Sequence, residues 1–111
     1  MVELERRVRP TYRRWVLPEL FLAEVHAFGL RRVGAERANA AVRQLLISTR
    51  VELVFGSPDL HAAALDLLQG HPDVGLSYAD AVGVAVAHAR GISDALTLDT
   101  AWGACGITVI G

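Results

Sequence analysis

The stretch "LSYADAVGVAVAHARGISDALTLDTAW" (residues 76–102) decides how the chain is read. From Ser77 to Arg90 it has the composition of a helix that is apolar on nearly every side, and Gly91 stops it. "ALTL" (95–98) then reads as a buried strand. A carboxylate sits in the first turn of the helix, Asp80, and another closes the strand, Asp99. An ionised acid beside apolar residues is costly unless a cation or hydrogen-bond donors compensate it.

Each acid has a plain structural explanation. Ser77-x-x-Asp80 matches a capping box, in which the pair satisfies backbone donors at a helix start. Asp99 is suited to be the N-cap of a short turn or helix at 100–104. A third acid, Glu24, lies within "LFLAEVHAF" and has the option of pairing with an arginine. Most of the remaining acids lie in polar or arginine-containing stretches. If Glu24, Asp80 and Asp99 met at one point, they would form a hard oxygen-donor site suited to Mg²⁺ or Mn²⁺ rather than zinc. Spacing alone does not bring them together.

Working outward, helical and β-rich runs alternate. Residues 1–9 read as a short charged helix broken by Pro10. "YRRWVL" (12–17) reads as a strand, and Pro18 opens a helix running to about Arg32. A second helix covers 35–48, with Ala38, Ala41, Val42, Leu45 and Leu46 as its apolar stripe. "VELVF" (51–55) is a strand. Ser57 and Pro58 open a helix that Gly70 stops, and "ITVI" (107–110) is the last strand. This alternation predicts an α/β fold with a mainly parallel sheet. Asp99, directly after a strand, falls at the rim where such sheets bind ligands.

The chain has 111 residues, 52% of them apolar, which suits one domain over residues 1–111. A net charge of −1 argues against whole-molecule electrostatic binding to nucleic acid. All eleven basic residues are arginine, with Arg6, Arg7, Arg9, Arg13 and Arg14 crowded at the start. Codon bias explains that usage, and phosphate recognition is the functional alternative. One cysteine, Cys105, precludes an internal disulfide and suits a reducing cytoplasm. No apolar run reaches the roughly 18 residues of a membrane span, and "MVELERRVRP" has no secretory apolar core. His26, His61, His71 and His88 have no zinc-type spacing and read as core-edge or surface residues, and Trp102 as a packing aromatic.

The C-terminal stretch resembles the end of a PIN domain of the VapC-type toxin ribonucleases. The likeness rests on Ser77, Tyr78 and Asp80; on Gly91, Ile92, Ala95, Leu96, Thr97 and Asp99; and on Trp102, Gly106, Val109 and Ile110. "VLPELFLAEVHAFGLRR" is similar to the family's strand-and-helix element that carries a Leu-x-Glu, with Glu24 at the glutamate's place. The resemblance implies a three-layer α/β/α domain with a parallel sheet. It also implies an endoribonuclease using Mg²⁺ or Mn²⁺ held by Glu24, Asp80 and Asp99, acting on RNA and silenced by a cognate antitoxin protein. Homodimers are common in the family.

The family's opening strand, "hydrophobic-Val-Asp-Thr-Ser", has no counterpart here. "MVELERRV" is similar to the end of the first helix, so the expectation is a PIN-like domain without that strand and its metal-binding aspartate. A late gene start, a degenerate toxin remnant and a strand supplied by another chain each account for this. The alternative function is a non-catalytic PIN-like remnant that binds RNA or an antitoxin.

Overall fold

Gly34 alone connects two helices, and its backbone explains how (φ 90°, ψ 168°). A side chain is strongly disfavoured in that region, so the joint depends on glycine. The computed structural model describes residues 14–96, 103 and 105–110. The expected helix at 1–9, the start of the strand at 12–17, residues 97–98 of "ALTL", the turn at 100–104 apart from Gly103, Asp99 and Trp102 all lie outside the described residues. The chain forms two compact units, Met1–Phe55 and Gly56–Gly111.

In the first unit, β1 (Trp15–Pro18) leads into α1 (Glu19–Val33), α2 (Ala35–Ile47) and β2 (Val51–Val54). β1 and β2 pair in parallel, with Trp15 opposite Val51 and Pro18 opposite Val54. The Trp15 N–H also donates to the Arg50 carbonyl at 2.7 Å. Pro18 was expected in the first turn of the helix; it is instead the last strand residue and the N-cap, with an extended ψ of 138°. Proline lacks the N–H that would continue a ladder, so strand and helix change over there. Glu19 in the first turn and Arg31 and Arg32 in the last complement the α1 dipole.

α1 and α2 approach closely near their joint. A Cβ built on Gly29 would lie 3.2 Å from the Cβ of Ala38, which is almost fully buried. Asn39 Oδ1 accepts from His26 Nε2 at 2.7 Å across the same pair. The α2 stripe is narrower than its periodicity predicts. Ala38, Val42 and Leu45 turn inward, whereas Ala41 is exposed and Leu46 is 57% exposed.

The second unit carries α3 (Pro58–Gly70), α4 (Tyr78–Arg90), β3 (Asp94–Leu96) and β4 (Thr108–Ile110). Ser57 caps α3 by accepting the Leu60 N–H, and Pro58 fills the position where no N–H is needed. β3 and β4 pair in parallel, Asp94 opposite Thr108 and Leu96 opposite Ile110. α4 is the centre of this unit: every residue from Ala81 to Ala87 is buried. Burial of Val82, Val84 and Val86 contributes about 1.5–3 kcal/mol each. The helix ends in a Schellman turn. Gly91 takes a left-handed conformation (φ 67°), and the Ile92 N–H reaches back to the Ala87 carbonyl at 2.8 Å. Among the described residues the predicted helices and strands are thus present with boundaries shifted by a residue or two, and the strand pairing is parallel as expected.

Gly34→Ala should cost about 1–3 kcal/mol, read as a lowered midpoint of thermal or urea unfolding. Among the described residues beyond its chain neighbours, no atom lies within 4 Å of the added Cβ, so the cost is torsional. Gly29→Val should cost a similar amount, about 1–3 kcal/mol, for the opposite reason: there the backbone is ordinary and Ala38 stands in the way.

Candidate active site

α4 is apolar along its buried length, so its polar chemistry concentrates at its ends. At the start, Ser77 is the N-cap. Its Oγ accepts the Asp80 N–H at 3.1 Å and donates to Asp80 Oδ2 at 2.9 Å. The expected Ser77 half of the capping box is therefore present, and the same hydroxyl orients the Asp80 carboxylate. Asp80 is half-buried, at the edge of the buried segment that begins with Ala81. Its negative charge in the first turn is also favoured by the helix dipole.

Glu24 differs from its expected environment. It lies in α1 and is exposed. Phe21, Leu22, Val25 and His26 form the half-buried face, whereas Ala23, Glu24, Ala27 and Phe28 form the open one. Apolar sequence neighbours did not bury Glu24, because residues next to each other on a helix point to different sides. Desolvation therefore gives no argument for a special role.

The structure brings Asp80 together with Ser77. Glu24 belongs to the other compact unit, and Asp99 lies outside the described residues. Among the described residues, no three of His, Cys, Asp and Glu cluster as an ion-holding group. The Asp80 carboxylate oxygens are hard donors of the type a divalent ion takes, and one of them is already oriented by Ser77.

Sequence spacing missed two histidine contacts. His61, in α3, shares a hydrogen bond between Nδ1 and the Tyr78 hydroxyl, and the rings stack at 15° with centroids 5.7 Å apart. His88, near the end of α4, donates from Nε2 to the Cys105 carbonyl at 2.8 Å. That acceptor fixes the proton on Nε2 and ties α4 to the segment before β4. His71 acts locally, donating from Nδ1 to the Leu67 carbonyl at the end of α3. Each of the two missed pairs spans seventeen positions, beyond any helical period. The Cys105 thiol is buried, and desolvation raises its pKa.

A family model of the PIN domain matches residues 2–105, spanning both compact units. This chain belongs to the PIN domain family. Its fold is similar to the crystal structure of VapC20 of Mycobacterium tuberculosis, described as a sarcin-ricin loop cleaving toxin. The TM-score is 0.85 at 26% identity, over 96% of this chain and 82% of that one. No curated protein sequence matches the chain closely enough to count as a relative. The α/β PIN-like fold and the resemblance to VapC-type PIN domains are thereby established. Among the described residues, no helix is long and apolar enough to cross a membrane.

Ser77→Ala should destabilise the protein by about 1 kcal/mol through loss of the cap. Cys105 should react slowly with iodoacetamide in the native protein and quickly in urea, followed by mass spectrometry. Its raised folded pKa gives a stability contribution that is complete below the unfolded thiol's pKa and is lost as pH rises through the folded value.

Proposed function

We propose that this chain is a VapC-type toxin endoribonuclease, a single functional domain over residues 1–111, that hydrolyses RNA phosphodiester bonds in the cytoplasm. The observation that carries the reading is the likeness to VapC20 over nearly the whole chain, joined to PIN-type motifs that fall at the start of α4. In this reading Asp80, Asp99 and Glu24 hold Mg²⁺ or Mn²⁺, with Asp80 as the anchor. Such an ion, when bound, supplies an activated water and neutralises charge on the phosphate under attack. Asp80 contributes a carboxylate whose orientation Ser77 already fixes, so little ordering remains to be done on binding. A cognate antitoxin would silence the enzyme, and a homodimer is the assembly the family favours.

The test is cleavage of a labelled RNA by the purified chain with Mn²⁺, with EDTA and as Asp80→Asn. Cleavage should require Mn²⁺ and fall at least about a hundredfold in Asp80→Asn, the scale of removing one electrostatic stabiliser of a transition state. The substitution keeps the side-chain shape and a hydrogen-bonding partner for Ser77, so the melting temperature should change little. Equal cleavage by both proteins would remove Asp80 from the site. Absence of cleavage by either, with antitoxin binding retained, would select the non-catalytic remnant.

A further inference from the structure

The stacked His61–Tyr78 pair lies at the exposed margin of the two helices that carry it. α3 already packs through Ala64, which is fully buried, and α4 is buried from Ala81 to Ala87. Yet the two rings are nearly parallel and joined by a hydrogen bond, and Tyr78 keeps 40% of its surface exposed. The bond through Nδ1 fixes the phenol's orientation while leaving ring surface open. A flat aromatic surface held still in solvent loses little entropy when another planar group settles on it.

We infer that His61 and Tyr78 form a stacking platform for an unpaired RNA base, across the start of α4 from the carboxylate that serves the cleavage reaction. The inference rests on the ribonuclease reading and deepens it by naming where the base sits. Aromatic side chains receive splayed-out bases in this way, largely without regard to sequence. Tyr78 and Asp80 lie in the same first turn of α4, about 3 Å apart along the axis and roughly 200° apart around it. They therefore flank the helix start. An RNA strand crossing that end can lay one base on the rings and bring a neighbouring phosphate toward Asp80. The platform binds and orients the base and takes no part in bond breaking.

The platform is tested with a fluorescent RNA hairpin carrying an unpaired loop, titrated in EDTA so that cleavage does not interfere. Tyr78→Ala should weaken binding by about 5- to 100-fold, the span of losing one base–aromatic stack. Tyr78→Phe, which keeps the ring and loses the hydroxyl, should stay within about threefold of wild type. Abasic substitutions in the loop should weaken binding to the wild type by a similar factor and leave Tyr78→Ala unaffected. A merely structural pair would not produce that coupling. If Tyr78→Ala proves unfolded by circular dichroism, Tyr78→Leu preserves apolar contact with α3 without a planar face and should bind as weakly. RNA binding and cleavage unchanged in a folded Tyr78→Ala or Tyr78→Leu would overturn the platform and leave the ribonuclease reading standing. A wild type that neither binds nor cleaves RNA would overturn both.

Discussion

Burial of α4 is the constraint on which the second unit depends. A helix made of valine, alanine and glycine from Ala81 to Ala87 has no polar face to offer water, so it must lie inside. Its side chains are small, and Val84 is the largest that is fully buried. Small residues let neighbours approach closely, and the stability they provide comes from contact along the helix rather than from a few large anchors. The unsatisfied groups at the two ends then have to be met by specific chemistry. Gly91 and Ile92 meet it at one end and Ser77 at the other.

The candidate site follows from that requirement. An N-cap hydroxyl is needed whether or not the protein is an enzyme, and the first turn tolerates an acid for the same electrostatic reason. Here the Ser77 hydroxyl also donates to the Asp80 carboxylate, so a structural device holds a potential metal ligand in place. Capping and ligation are compatible roles. The capping explanation, sufficient when Asp80 is considered alone, describes how the carboxylate is positioned rather than competing with the proposed ligand role.

The first unit is built differently. No residue of α1 is buried, and Phe28, Leu30 and Val33 are about half exposed. Arg32 covers part of the Phe28 ring, with its guanidinium 4.8 Å from the centroid. Among the described residues, this unit is joined by the close approach of Gly29 to Ala38, the His26–Asn39 hydrogen bond, the glycine joint at Gly34 and the parallel pairing of β1 with β2. These depend on single residues more than on a broad core, which makes glycine substitutions there informative.

By itself, the sequence determined the features whose causes are local. Ser57 with Pro58, Ser77 with Asp80, and Gly91 each act through hydrogen bonds within about one helical turn. Their residue types therefore announce the helix ends, and the alternation of helical and β-rich runs announces a parallel α/β fold. PIN-type motifs within those elements led to the family. Tertiary structure decided what depends on direction and distance. It turned Glu24 outward despite its apolar neighbours, because a helix distributes consecutive residues around its axis. It also brought His61 to Tyr78 and His88 to the Cys105 carbonyl, contacts for which no short-range spacing exists. A local hydrogen bond is written in neighbouring letters. A contact between elements exists only once their faces have been chosen, and packing makes that choice.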